Sequence, residues 1–166
     1  MTITITKRDG SRVPFNADRI NKSIERACYG ITDPISKVIQ IASETQLTLY
    51  DGITTEEMDQ ATINAAIQNI KDDITYDKIA TRLFLKVIYK RVMGDYERDD
   101  ENFVKYHKET FIKFIAKGIE TGRLDKRMGE KFDLVKLSEA INLERDELFQ
   151  YTGLSTVASL YILKGE

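Results

Sequence analysis

The stretch from Ile3 to Phe15 constrains this chain more than any other. Ile3 and Ile5 alternate with threonines, Val13 and Phe15 follow, and Asp9-Gly10 stands between the two apolar sets. Period-two alternation argues for strands. Asp-Gly at the centre supplies a residue that tolerates the positive φ of a tight turn. The stretch predicts a β-hairpin with Lys7 and Arg8 at its tip. Ile53, after Tyr50-Asp51-Gly52, is extended enough to add a short third strand beside it. Almost everything else reads at helical spacing, and only two prolines interrupt 166 residues. The fold class expected is mostly α.

Four helices are predicted before residue 94. The first is capped by Asn16 or Asp18 and runs to about Tyr29, with Ile20, Ile24, Ala27 and Cys28 on one face and Arg19, Lys22 and Arg26 opposite. Gly30 stops it. The second restarts at Asp33-Pro34, with Ile35, Val38, Ile39 and Ala42 lining one side up to about Leu49. Thr54 and Glu57 match a capping box that opens the third. Its small-residue face is Met58, Ala61, Ala65 and Ala66, next to an Ile63, Ile67, Ile70 stripe, and Asp72-Asp73 ends it. Thr75 caps the fourth, which buries Ile79, Ala80, Leu83, Phe84, Val87 and Ile88 and carries Arg82, Lys86 and Lys90 at four-residue intervals.

Residues 95–101 then turn polar and acidic, which places a boundary there. Beyond it an aromatic-rich helix carries Phe103, His107, Phe111, Phe114 and Ile115. Shorter pieces follow around Leu124 and Met128, then Leu134, Leu137 and Ile141. A last apolar helix runs from Leu154 to Leu163 and is expected to pack on something, either closing the second module or belonging to a longer chain.

Composition narrows the function classes. A net charge of −2 and a pI near 5.6 advertise no nucleic-acid surface. No apolar run is long enough to span a membrane, and Met1-Thr2-Ile3-Thr4-Ile5 is no signal peptide, so the cytoplasm is the expected location. The one cysteine, Cys28, excludes an internal disulfide and a Cys-based zinc cluster. It reads as a small buried hydrophobe. The one histidine, His107, reads as a packed or surface residue. HExxH, GxSxG, GxGxxG and Gly-x-x-x-x-Gly-Lys are all absent. No catalytic and no metal-ligating set is found.

Anion binding has better support. A triphosphate needs converging Lys and Arg donors, helped by helix amino-ends and turn amides. The candidates are Lys7 and Arg8 on the hairpin, Arg19 on the first helix, and Lys90 and Arg91 late in the fourth. Thr55 adds a hydroxyl next to a helix amino-end. Taken singly, each reads equally as a solvated side chain, and periodicity alone does not bring them together.

Four separated motifs carry a resemblance. Thr6-Lys7-Arg8-Asp9-Gly10-Ser11, Asn16-Ala17-Asp18-Arg19-Ile20, Tyr50-Asp51-Gly52-Ile53-Thr54-Thr55 with Asp59, and Ala80-Thr81-Arg82-Leu83 resemble the ATP-cone in order and spacing. This is the amino-terminal regulatory module of ribonucleotide reductase large subunits. Glu144-Arg145-Asp146, Phe149-Gln150-Tyr151-Thr152-Gly153-Leu154 and Leu160-Tyr161-Ile162-Leu163-Lys164 are similar to the helical lead-in to the same subunits' catalytic barrel. The resemblance implies an ATP-cone over 1–94, a four-helix bundle capped by a small three-stranded sheet. A linker over 95–101 and an all-α module over 102–166 would follow, with the barrel itself missing.

It also implies a role. The cone would bind ATP as activator or dATP as inhibitor, with Mg2+, and would control overall activity and subunit assembly. Its partners would be other large subunits and the small, radical-generating subunit. Lys7, Arg8, Arg19 and Lys90 look like phosphate ligands, Arg19 standing where the family usually has Lys. Thr55 and Asn16 look like neighbours of the nucleotide, Asp59 like an acceptor for sugar or base, and Ile5 and Ile20 like walls for the base. Many members carry Glu where this chain has Val13, so that part of adenine recognition is expected to differ. The family's radical chemistry uses three cysteines, so this chain is expected not to turn over substrate. Two other classes were weighed. A nucleotide-independent helical adaptor would use Phe103 to Ile115 and the apolar carboxyl end. A cone-bearing transcriptional repressor would need a Cys-rich zinc ribbon, which is absent.

Overall fold

The computed structural model describes residues 3–94 and 102–162; the acidic boundary at 95–101, and Leu163, lie outside the described residues. The elements are β1 (Thr4–Thr6), β2 (Arg12–Pro14), α1 (Ala17–Ala27), α2 (Pro34–Leu47), β3 (Ile53–Thr54), α3 (Thr55–Gln68) and α4 (Thr75–Met93). There follow α5 (Phe103–Glu120), α6 (Arg127–Lys131), α7 (Leu134–Ala140), a 3-10 segment (Leu143–Leu148) and α8 (Tyr151–Leu160). The protein is mostly helical with one small three-stranded sheet. Two compact units result, Met1–Leu85 with Phe149–Glu166, and Lys86–Leu148.

In the first unit the expected hairpin forms, and β3 joins it in the order β2-β1-β3. β1 pairs antiparallel with β2, Ile5 opposite Val13, and parallel with β3, Ile5 opposite Ile53. Directly paired residues share a face, so these three apolar side chains point the same way. Ile5 and Ile53 are buried. Asn16 caps α1, its Oδ1 accepting from the Asp18 N–H at 2.8 Å. The far end of α1 is closed by Arg82, whose Nη1 donates to the carbonyls of Ala27 at 2.8 Å and Tyr29 at 2.6 Å. A cation on carbonyls at a helix carboxyl end is favoured twice, by hydrogen bonding and by the helix dipole.

α2 corrects the expected register. Ile35 and Ile39 are 73% and 61% exposed, and the buried positions are Lys37, Ile41, Ala42 and Thr45. Of the expected stripe Ala42 is buried and Val38 half-buried, while Ile35 and Ile39 face solvent and Lys37 is satisfied inside. Its Nζ lies 2.5 Å from Asp73 Oδ2 and 5.0 Å from the centre of the Tyr76 ring. Asp73 also accepts from the Thr75 N–H at 2.8 Å and hydroxyl at 2.7 Å. Asp73 therefore supplies the capping bonds at the start of α4, and Thr75, read as the cap, is the first helical residue.

The Lys37 ammonium, then the Thr75 bonds, hold the Asp73 carboxyl down at about 2, against 3.8 for an ordinary aspartate. A depressed carboxyl stabilises the fold above its unfolded value and loses that contribution as pH falls through its folded one. Acid unfolding is therefore expected to include a loss of stability between pH 3.8 and about 2. Asp73→Asn should remove that step in a melting series at decreasing pH.

α3 begins with the predicted capping box. Thr54 Oγ1 accepts from the Glu57 N–H at 3.1 Å, and Glu57 Oε2 accepts from the Thr54 N–H at 2.9 Å. It ends at Gln68, earlier than the expected Asp72-Asp73. Asn69 stops it by donating its side-chain amide to Ala65 O and Glu44 Oε2, both at 2.8 Å. The largest fully buried side chains include one isoleucine from each of four helices: Ile24, Ile41, Ile63 and Ile79. α8 starts three residues before the expected Leu154. Tyr151 donates its N–H to Asp77 Oδ1 at 3.3 Å, its ring lies 5.8 Å from Phe84, and Leu154 is buried. Leu160 and Tyr161, expected to pack, are 71% and 75% exposed.

In the second unit α5 packs against α6 and α7. Gly118 permits the turn after α5: a Cβ there would stand 2.6 Å from Leu124 Cδ1. Phe103 and Ile115 are the buried positions of α5, whereas Phe114 and, on α7, Leu137 are exposed. His107 packs edge-on to Tyr89, and its Nδ1 is buried without a hydrogen-bond partner. Burial holds its pKa below 6.5, against the opposing pull of the Asp146 charge. The unfolded chain thus takes up the proton more readily than the folded one. Stability is expected to fall as pH drops below 6.5, and His107→Leu should flatten that slope in thermal melts. Among the described residues no helix is long and apolar enough to cross a membrane.

Candidate functional site

The hairpin tip is held by its own side chains. Asp9 Oδ1 accepts from the Ser11 N–H at 2.9 Å and hydroxyl at 2.6 Å, while the Gly10 N–H donates to Lys7 O at 2.9 Å and the Lys7 N–H to Ser11 O at 2.8 Å. Gly10 takes φ 81°, as the turn requires. The Ser11 bonds, and to a lesser degree the Lys7 charge, keep the Asp9 carboxyl below its ordinary value. Lys7 and Arg8 are exposed on a braced turn.

The parallel pairing decides what stands next to that tip. Thr6 is opposite Thr54, so the residues that follow, Lys7 and Thr55, are neighbours where β1 ends and α3 begins. Two cations, a helix amino-end and the Thr55 hydroxyl are thereby gathered at one end of the sheet. Asp59 lies one turn further along α3, half-buried. Lys7, Arg8 and the α3 amino-end make a cationic cradle, and the Thr54 and Glu57 N–H groups at that end are already bonded within the capping box.

The other predicted residues are distributed differently. Asn16 and Arg19 follow β2, which runs antiparallel, so α1 starts from the opposite end of β1. β1 rises by about 3.3 Å per residue, so its two ends stand roughly 7 Å apart. Ile5 and Ile20 are 6% and 5% exposed, within the core face between those ends. Lys90 and Arg91 occupy the last turn of α4, on the part of that helix belonging to the second unit.

Sequence reasoning assigned no role of its own to Asp51, which ties the start of β1 to the turn before β3. Its Oδ1 accepts from the Thr4 N–H at 2.8 Å and hydroxyl at 2.7 Å, and the Gly52 N–H donates to Thr4 O at 2.9 Å. The Thr4 bonds, with help from the Arg12 charge, lower its carboxyl pKa. The Asp-Gly dipeptide at 51–52 was the available signal. It read as a helix break and as part of a family motif, and its bond to Thr4 was not legible because that partner lies 47 residues away. Gly52 has φ 85°, and a Cβ there would meet Arg12 Nη2 at 3.4 Å.

A groove of about 340 Å³ opens between α2 and α3, and it contains none of the predicted residues. Glu44 and Glu57 line it and no cation does, which is the wrong charge for a polyphosphate. Both carboxylates already accept hydrogen bonds, Glu44 from Asn69 and Glu57 from Thr54. Cys28 is fully buried, and burial pushes its thiol up to about 11, so it is inert at neutral pH.

The family model described as ATP cone domain matches residues 3–91, more than half of the chain and the whole of the cradle. The chain belongs to the ATP-cone family. It is also similar to ribonucleoside-diphosphate reductase subunit alpha of Helicobacter pylori, 34% identical over 165 residues, covering 98% of this chain and 19% of that protein. The Chlamydia trachomatis protein of the same name is 28% identical over 159 residues, 96% of this chain and 15% of the relative. Ribonucleoside-diphosphate reductase 1 subunit alpha of Escherichia coli is 25% identical over 166 residues, 98% of this chain and 20% of the relative. The chain thus spans about a fifth of the length of these relatives, and the likeness continues past the cone through α5 to α8.

Proposed function

We propose that this chain is the allosteric regulatory region of a cytoplasmic ribonucleoside-diphosphate reductase large subunit. Residues 1–94 would form the cone, four bundled helices under the sheet, and 102–166 the helical lead-in to a catalytic barrel. The cone binds ATP as activator or dATP as inhibitor, with Mg2+ on the phosphates, and thereby sets overall activity and assembly with other large subunits and the small subunit. The fragment does no chemistry of its own. The observation that carries the reading is the ATP-cone match over 3–91, supported by the braced cations beside the start of α3.

Within this reading Lys7, Arg8 and Arg19 hold phosphate oxygens, and Thr55 donates beside the α3 amino-end. Asn16 and Asp59 meet sugar and base, with Ile5 and Ile20 behind the base. Lys90 enters the set from its charge and from the resemblance, and Arg91 from its charge beside Lys90 alone. Charge-assisted hydrogen bonds contribute roughly 1.5–3 kcal/mol each, so three or four suffice for micromolar affinity near −8 kcal/mol. ATP and dATP differ by one hydroxyl, so their opposite effects require coupling to conformation or assembly.

Calorimetry with ATP, dATP and GTP tests the proposal. Micromolar binding of both adenine nucleotides and weaker binding of GTP is the expected result; a folded chain that takes up no ATP would refute it. Exposed Val104 and Phe114 on α5 favour a second reading, a nucleotide-independent adaptor. That reading predicts self-association indifferent to ATP.

A further inference from the structure

The groove between α2 and α3 lies wholly within the first unit and has no part in the nucleotide reading. Its floor is apolar, with Ile53 and Ala65 both buried, and Tyr50 stands 53% exposed beside it. One carboxylate comes from each helix, Glu44 from α2 and Glu57 from α3. Asn69 ties one wall to the other, its side-chain amide donating to Ala65 O and Glu44 Oε2, both at 2.8 Å. The concavity is therefore set by the fold before any ligand arrives.

Most side-chain donors of the lining are already in use. Thr48 Oγ1 donates to Thr45 O at 2.7 Å, Gln60 Nε2 to Asn64 Oδ1 at 2.9 Å, and the Tyr50 hydroxyl to the Glu57 carboxylate. Only the neutral amide nitrogens of Asn64 and Gln68 remain. Acceptors are in excess. Gln60 Oε1 accepts nothing among the described residues. A carboxylate offers about four lone-pair positions, and Glu44 uses them on two neutral amides, those of Gln40 and Asn69. Among the described residues no ion pair neutralises Glu44 or Glu57.

An occupant must therefore bring donors and positive charge, with a flat face for the Tyr50 ring. A guanidinium has all three: five N–H groups in one plane, a fixed charge, and hydration weak enough to let it stack on an aromatic ring. An ammonium brings the charge without the plane. At about 340 Å³ the groove is at the small end of ligand sites, which suits one side chain rather than a folded element. Arginine is also among the residues that anchor protein interfaces by filling such pockets. We propose that the α2–α3 groove is a docking site for an arginine side chain of a partner protein, held by Glu44 and Glu57 and covered by Tyr50. The site is independent of any nucleotide in the cradle.

The test titrates the whole chain with a short capped peptide of glycines around one arginine. Peptides with lysine or with citrulline, the neutral isostere, serve as controls, as does spermidine. Binding is followed by NMR on the side-chain amides of Gln60, Asn64 and Gln68. The arginine peptide should give saturable shifts there, the lysine peptide should bind more weakly, and the citrulline peptide should not bind. Glu44→Gln with Glu57→Gln should weaken binding by about fivefold or more, the scale of two exposed ion pairs. This double variant keeps an acceptor for the Thr54 N–H, so the capping box survives, and a thermal melt checks that it does. Tyr50→Leu should bring arginine down to the level of lysine. Unchanged affinity in the folded double variant overturns the proposal. Lysine or spermidine binding as tightly as arginine also overturns it, because the groove would then read charge alone. A dimer seen by ultracentrifugation and lost in the double variant would seat a second copy of the chain in the groove, and overturns the assignment to a partner protein.

Discussion

Replacing Lys7 and Arg8 together by alanine is expected to abolish measurable ATP binding while leaving the fold in place. Each cation stands to lose a charge-assisted contact of roughly 1.5–3 kcal/mol, so the pair is worth about a hundredfold to ten-thousandfold in affinity. Both side chains are exposed, and Asp9 and Ser11 brace the turn beneath them. The melting temperature should therefore move little, since surface substitutions away from such bracing usually stay within about 0.5 kcal/mol. Isothermal titration on the double variant, with a thermal melt alongside, checks both halves. Parent-like affinity in a folded variant would remove the hairpin from the site.

The second large effect falls on stability. Arg82→Ala deletes two hydrogen bonds from a guanidinium to the carbonyls that end α1. Bonds to charged groups contribute roughly 1.5–3 kcal/mol each. The pair is not additive, because water reaches part of the half-buried site, and a loss of about 2–4 kcal/mol is expected. Arg82→Lys should recover little of it, since one ammonium does not reproduce a planar fork on two acceptors. Urea unfolding decides the matter: a midpoint within error of the parent would show that α1 is closed by other means. The outcome also bears on recognition, because Arg82 belongs to one of the motifs shared with the family. Here it closes a helix.

What could be read from the sequence follows the range of the interactions involved. The hairpin, the Thr54–Glu57 capping box and the Gly30 stop depend on residues a few positions apart, and they appear as expected. Ile20, Ile24, Ala27 and Cys28 were identifiable as the buried face of α1 because no polar partner competes for that face. α2 misled because Asp73, 36 residues away, allows Lys37 inside and frees Ile35 and Ile39 for solvent. The end of α3 was missed because Asn69, a residue with no strong stop signal, bonds back to Ala65. The cations of the site were visible as residue types, whereas the neighbourhood of Lys7 and Thr55 depends on a strand pairing that no local pattern announces. Only the resemblance linked them beforehand.

That pairing also orders events as the chain folds. β1 and β2 are joined by five residues, whereas α1 and α2 lie between β2 and β3 along the chain, with Thr4 bonded to Asp51 across a separation of 47. Closing a long loop costs entropy that local contacts do not, so non-local strand pairs form late. The hairpin would meet its third strand at the end of assembly, and an effector seated beside Lys7 and Thr55 would grip the most recently formed junction of the module. Nucleotide should then slow unfolding at that seam first, before the buried isoleucines register its presence.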